Sequence, residues 1–136
     1  MAPRKNSASE TDRRSPCPLA CSLDIFGDRW TLLVIRDLVL SKSRFKDFTS
    51  SPEGIPTNIL SDRLARLQTH DIISQTTPPD GSKHLAYQLT KKGEALRPVL
   101  MAMRDWGLTW EKGTKVILQP VAATVSPTKP TPRKSK

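Results

Sequence analysis

Between residues 56 and 89 the hydrophobic period of the chain changes from helical to alternating, which restricts the folds open to it. Leu60, Leu64 and Leu67 fall at i, i+4 and i+7, a single apolar stripe on a helix over residues 57–70. Pro56 stands just before it, where a fixed φ suits helix entry. Asn58, Ser61, Asp62, Arg66 and Thr69 fall on the opposite or flanking faces, with Arg63 beside the stripe. After His70-Asp71 the pattern becomes strand-like. Residues 72–77 are rich in strand formers, 78–82 form a polar loop, and 84–89 alternate apolar with polar, which together predict a hairpin with a polar tip. A chain that makes this switch is neither all-helical nor all-β.

The helical pattern extends on both sides. Residues 18–26 suit a short helix with Leu19, Leu23 and Phe26 on one face and Pro18 in its first turn, broken by Gly27. Residues 29–40 carry Trp30, Leu33, Val34 and Leu38 at helical spacing and stop before Ser41-Lys42-Ser43. Residues 44–50 make a short helix that brings Phe45 and Phe48 together, and Ser51-Pro52-Glu53-Gly54 is a turn. Past the hairpin, Thr90 caps a helix over residues 91–96. Pro98 then belongs in the first turn of a last helix reaching about Trp110, because a proline in a helix interior costs about 3 kcal/mol. Helix, helix, short helix, helix, hairpin, helix is the order of a winged helix-turn-helix. The expected fold class is α+β: mainly helical, with a β-hairpin wing and added N- and C-terminal helices.

Charge is concentrated at the ends. The 136 residues carry a net charge of +9. Arg4, Lys5, Arg13 and Arg14 against Glu10 and Asp12 leave residues 1–16 at +2, and Lys112, Lys115, Lys129, Arg133, Lys134 and Lys136 with no acid bring 112–136 to +6. The stretch between holds only +1, so basicity alone does not say which surface meets a polyanion. The composition predicts a disordered tail over 1–16, one folded domain over 17–112, and a basic, proline-rich disordered tail over 113–136. No apolar run suits a membrane-spanning helix, and no apolar core follows the basic residues at the start, so a cytoplasmic protein is expected.

Several chemistries are excluded by spacing. Cys17, Cys21, His70 and His84 lack metal-finger spacing, and neither histidine joins a serine and a carboxylate in a triad pattern. There is no glycine-rich phosphate loop or dinucleotide motif. We expect no metal, no cofactor and no enzymatic activity.

Residues 44–70 read as a helix-turn-helix. A helix that enters the major groove turns bulky apolar groups inward and short donors and acceptors outward. Thr57, Asn58 and Ser61 are placed to read bases, and Arg63 and Arg66 to reach bases or backbone. Lys42, Arg44, Lys46 and the wing residue Lys83 are placed to hold phosphate without specifying sequence, with His84 beside Lys83 at the tip. Asp62 is awkward in a groove unless it meets a cytosine amine or pairs with Arg66 at i+4. An ordinary surface helix of mixed charge shows much the same pattern; the hairpin directly after it favours DNA.

Cys17 lies between Pro16 and Pro18 at the exposed start of a helix, open to oxidation, to an electrophile or to a bridge with a second subunit. A small, half-buried residue with no chemistry is the plainer reading of that position from the residues alone. Cys21, one turn on, reads as structural, and a bridge between the two is strained in a regular helix. On the last helix, core packing accounts for Leu96, Leu100 and Met103. A surplus remains: Val99, Trp106 and Trp110, with Met103 also on that face, and Leu19, Leu23 and Phe26 of the first helix make a dimer seam.

With these residues in hand, the chain resembles the HxlR-type winged-helix transcription regulators, relatives of the MarR regulators. The resemblance spans residues 17–112 and lies in Cys17-Pro18, the run from Phe26-Gly27-Asp28-Arg29-Trp30 to Leu33, Arg44-Phe45, and Gly54-Ile55-Pro56-Thr57-Asn58-Ile59-Leu60 with Arg63-Leu64 and Leu67. It continues through Tyr87-Gln88-Leu89-Thr90 with Gly93, Pro98-Val99-Leu100 and Trp106-Gly107. It implies a homodimer joined through its first and last helices, with two wings and two reading helices on one face. It further implies binding to double-stranded DNA at an inverted-repeat operator, control of nearby genes, and sensing of an electrophile or oxidant through Cys17; we expect a repressor rather than an activator. Pro56 stands where the family often has serine, and Cys21 lies outside the family pattern. The alternative, a winged-helix protein-interaction module without sequence-specific DNA binding, would want apolar anchors on the outer face of 57–69, and none is there.

Overall fold

A computed structural model describes residues 13–77 and 85–116, arranged as α1 (Pro18–Phe26), α2 (Thr31–Val39), α3 (Phe45–Thr49), α4 (Thr57–Thr69), β1 (Ile73–Thr76), β2 (Ala86–Leu89), α5 (Lys91–Glu94) and α6 (Arg97–Trp110). This is the expected order of elements. The core forms where α2 and α4 meet the hairpin: Val34, Ile35 and Leu38 from α2, Phe48 from α3, Leu60, Leu64 and Leu67 from α4, and Ile72, Ile73 and Ala86 from the hairpin are all buried. The predicted leucine stripe is thus the inner side of α4.

Two boundaries move for visible reasons. The helix expected from residue 29 is regular only from Thr31, with Trp30 as its cap residue, and the Asp28 carboxylate binds the turn just before it by accepting the backbone N–H groups of Trp30 (3.0 Å) and Thr31 (3.2 Å). The helix expected over 91–96 ends at Glu94, with the Leu96 N–H turned onto the Gly93 carbonyl at 2.9 Å. Thr90 caps it as expected, its hydroxyl accepting the Gly93 N–H at 3.1 Å.

Both α2 and α4 stop without glycine. Ser41 (φ 76°) and Asp71 (φ 62°) take the left-handed conformation one residue past each helix cap. The N–H groups of Lys42 and Ile72 then reach back to the carbonyls of Asp37 (3.0 Å) and Leu67 (2.8 Å), and those of Ser41 and Asp71 to Leu38 (3.0 Å) and Gln68 (2.9 Å). This paired arrangement satisfies carbonyls that a helix end otherwise leaves orphaned. It also turns the chain sharply from α4 into β1.

The hairpin is antiparallel, pairing Ile73 with Leu89 and Thr76 with Ala86. A single bridge from Arg44 to Ala86, with the Tyr87 N–H on the Ser43 carbonyl at 2.8 Å, adds a one-residue third strand that ties the wing to the start of α3. The wing tip, with Lys83 and His84, lies outside the described residues, as do most of the two expected tails.

Neither α1 nor α6 buries a single residue. Leu96 and Leu100 pack against the core, as expected. Met103, expected to join them, is 54% exposed, because beyond Leu100 every residue of α6 except Gly107 lies on the surface and no core remains for it to meet. Among the described residues no helix is long and apolar enough to cross a membrane.

Candidate nucleic-acid interface

The exposed side of α4 carries Thr57, Asn58, Ser61, Asp62, Ala65, Gln68 and Thr69, and runs from the edge of the buried leucine stripe, at Thr57 and Gln68, round to the side opposite it, at Asp62 and Thr69. At 100° per residue, Ala65 and Asn58 share the middle of that face, with Ser61 and Gln68 along one side. Ala65 and Gln68 escaped the sequence reading, although the same helical wheel that gave Asn58 and Ser61 contains them. A small residue in the middle of a polar face lets a helix approach a groove closely, and Gln68 extends the row of donors and acceptors by two turns. Pro56 is the cap residue of α4, and no side chain caps the first turn. Its N–H groups therefore face outward without a side-chain partner, a disposition suited to phosphate.

The cations divide into two groups. Lys46 is exposed on α3, and Arg44 is half-buried at its start, where Asp47 Oδ2 accepts the Arg44 backbone N–H at 3.0 Å. Lys42 turns inward: its Nζ donates to Ser51 Oγ at 2.7 Å and stands 3.9 Å from the buried Asp37 carboxylate, leaving the side chain only 11% exposed. Ser51 Oγ in turn donates to Asp37 Oδ2 at 2.5 Å. The expected phosphate contact at Lys42 thus meets an ammonium already engaged in holding α2 to the turn after α3.

Arg63 and Arg66 also have partners within the domain. Arg63 Nε donates to Asp28 Oδ2 at 2.8 Å, and its Nη1 pairs with Asp62, so its side chain is 17% exposed. Arg66 Nη2 donates to the carbonyls of Ile25 (2.9 Å) and Asp24 (3.3 Å) in the last turn of α1. Asp62 therefore pairs with Arg63, not with Arg66 as its spacing had offered. Burial would raise the Asp28 carboxyl's pKa, but hydrogen bonds from Thr31, Arg63 and the Trp30 backbone outweigh it and hold Asp28 well below the usual carboxylate range. The Asp28 partnership correspondingly raises the Arg63 guanidinium against its own desolvation.

Cys17 is exposed as the cap residue of α1, and its N–H donates to Ser15 Oγ at 3.1 Å. Cys21 is half-buried, with its Sγ donating to the Ser15 carbonyl at 3.2 Å. Val99, Met103, Trp106 and Trp110 form one exposed stripe along α6, with Trp106 61% and Trp110 67% open to solvent. Leu19 and Leu23 of α1 are exposed as well, and Phe26 is half-buried. Among the described residues no cluster of His, Cys, Asp and Glu could hold a metal ion.

Comparison with known proteins adds to this geometry. The HxlR-like helix-turn-helix family matches residues 25–115. The chain is 33% identical over 94 residues to the uncharacterized HTH-type transcriptional regulator sll1512 of Synechocystis sp., covering 69% of this chain and 70% of that one. It is 32% identical over 91 residues to the HTH-type transcriptional regulator YodB of Bacillus subtilis, covering 66% and 81%. Reduced YodB superposes with a TM-score of 0.60 at 28% identity, over 74% of this chain and all (100%) of that one; quinone-bound YodB does so with 0.57 at 29%, over 69% and 100%. The crystal structure of PA1607 superposes with a TM-score of 0.70 at 37% identity, covering 79% and 77%.

Proposed function

Because the chain belongs to the HxlR-like helix-turn-helix family and is a transcriptional regulator of that type, we propose that it works as a homodimeric repressor on an inverted-repeat DNA operator. The observation that carries this reading is the outer face of α4, narrow, hydrophilic and open, standing on three buried leucines. Thr57, Asn58, Ser61 and Gln68 read base edges, and the first turn of α4, Lys46 and Arg44 hold phosphate. Lys83 and His84 keep the wing-tip role given by the sequence. Lys42, Arg63 and Arg66, expected as contacts, are assigned roles inside the domain in this reading: Lys42 on Ser51, Arg63 on Asp28 and Arg66 on the end of α1. A dimer seated across two successive major grooves excludes other proteins from that stretch, which is the physical basis of repression.

Selection of duplexes from a random pool tests the reading. The enriched sequence is expected to be an inverted repeat whose half-sites lie about one helical turn, roughly 34 Å, apart or a multiple of it. Affinity for that duplex should fall steeply with salt. Asn58→Ala and Ser61→Ala should each cost about 1–3 kcal/mol of discrimination at the base they read. Enrichment of no repeat, together with variants that bind as the parent does, overturns the assignment.

Cys17 is the proposed sensor of an oxidant or electrophile, supported by its exposure and by the similarity to YodB, whose structures include reduced, diamide-treated and quinone-bound forms. The chain has two cysteines, and both sit at the start of α1, so a bridge within one chain would join one turn to itself. Oxidation must therefore act through a bridge between subunits or an adduct on Cys17. Treatment with diamide or a quinone should weaken duplex binding about tenfold or more, and Cys17→Ser should abolish that response while Cys21→Ser retains it. An unaltered response in Cys17→Ser removes the sensor role.

A further inference from the structure

We propose that Arg63 is a positioning residue that never touches DNA: through Asp28 it locks α4 to the corner between α1 and α2, and so sets the angle at which the reading face meets the groove. The proposal rests on the operator reading above. Its basis is the crowding of directional bonds at one carboxylate. Asp28 Oδ2 accepts the N–H groups of Trp30 (3.0 Å) and Thr31 (3.2 Å) together with Arg63 Nε (2.8 Å). Asp28 Oδ1 accepts the hydroxyl of the fully buried Thr31 and stands 3.9 Å from Arg66 Nη1. One side chain thus binds the start of α2 and anchors α4. Arg66 completes the corner on the last carbonyls of α1, where the orphaned acceptors and negative end of a helix favour a cation.

The leucine stripe cannot do this alone. Apolar contact decides which side of α4 faces the core, but it is non-directional and restrains the roll of the helix less sharply than directional bonds do. Side chains of a helix extend to about 5–6 Å from its axis, so a roll of about 20° carries their ends sideways by about 2 Å. That exceeds what a base-edge hydrogen bond tolerates. Arg63 and Arg66 stand three residues apart on the flank between the leucines and the open face, and their bonds to Asp28 and to α1 fix the roll. Asp62, bonded to Arg63 from the solvent side, holds the guanidinium in that pose and has its own charge neutralised beside the groove.

The test compares parent, Arg63→Gln, Asp28→Asn and the double variant on two probes: the duplex enriched by the parent from a random pool, and a scrambled duplex of the same composition. Asparagine is itself a good helix cap, so Asp28→Asn keeps one oxygen for the N–H groups at the start of α2, while it removes the charge that holds Arg63 and the acceptor of the Thr31 hydroxyl. Each single variant should bind the enriched duplex about tenfold more weakly, the size expected of a partly buried charge-assisted bond, and the double variant no more weakly than either single. Binding to the scrambled duplex and the slope of log affinity against log salt should stay as in the parent. A slope reduced by about one in Arg63→Gln would mean a phosphate contact and overturns the proposal. So does Arg63→Gln relaxing one base position while Asp28→Asn binds like the parent, which marks a base contact. Equal weakening on both duplexes overturns it too, by showing a loss of folded protein. A parent that enriches no sequence defeats the operator reading, and this proposal with it; a parent that enriches one, with variants that match it, defeats the positioning role alone.

Discussion

Gly93→Ala lowers the thermal midpoint of the protein by about 15 °C, the shift expected of about 3 kcal/mol in a domain of this size. The position looks innocuous in the sequence, one glycine in a short helix. In the structure a Cβ there would overlap the backbone carbonyl oxygen of Ile72 and come within 2.9 Å of Leu89 Cδ2. The Ile72 carbonyl cannot retreat cheaply. It accepts the Thr90 N–H at 3.0 Å and the Thr90 hydroxyl at 3.0 Å, and Ile72 itself is buried in the core beneath α4. A methyl group at residue 93 therefore pushes α5 off the root of the hairpin, and α6 with it, since only Ala95 and Leu96 separate the two helices. Circular dichroism during heating measures the shift; a midpoint within a few degrees of the parent's would show that the root of the hairpin yields more easily than this packing allows.

The sequence disclosed what periodicity and local chemistry can carry. The stripe of Leu60, Leu64 and Leu67, the strand around Tyr87 and the Thr90 cap each depend on residues within a turn or two of one another, and each forms as expected, although Ala86 rather than Leu85 is the buried residue of that strand. What was hidden lies in pairings distant along the chain. Arg63 meets Asp28 across 35 positions, and Arg66 meets the end of α1 across 41 and 42. A sequence places the Cα of an arginine on a helix flank, but the long side chain swings either toward solvent or back across its neighbours, and only tertiary packing decides. Lys42 repeats the lesson, its ammonium drawn in by the buried Asp37. Met103 shows the converse error. Its spacing from Leu96 and Leu100 fits an inward face, yet the core ends before the helix does. The third strand made by Arg44 was equally invisible, because a one-residue bridge has no period.

Trp106→Asp converts the proposed dimer to monomers, raising its dissociation constant by a factor of about thirty or more, as the loss of a buried aromatic anchor commonly does. Val99, Met103, Trp106 and Trp110 recur at i, i+4, i+7 and i+11 along α6, so one exposed stripe runs the length of the helix, and α1 adds Leu19 and Leu23. Soluble monomers seldom leave so continuous an apolar surface open, and a two-fold axis lets one such stripe cover another. Gly107 points to the same occupant. It stands in the helix interior, where glycine costs about 1 kcal/mol relative to alanine, yet among the described residues nothing outside its own stretch of helix backbone lies within 4 Å of where a Cβ would be. In the proposed dimer, close passage of the partner's backbone would supply the missing reason. Gly107→Ala should therefore stabilise the isolated chain while weakening self-association, two effects of opposite sign that no fault in folding would produce together. Sedimentation equilibrium reads association in parent, Trp106→Asp and Gly107→Ala, and thermal unfolding at low concentration reads the stability of the chain. Trp106→Asp should also lose most of its affinity for a two-half-site duplex while keeping that for a single half-site, since only a dimer binds the second half-site at high effective concentration. A parent that sediments as a monomer, or a Trp106→Asp variant that pairs as tightly as the parent, would move the seam elsewhere and leave the two reading helices without a fixed separation.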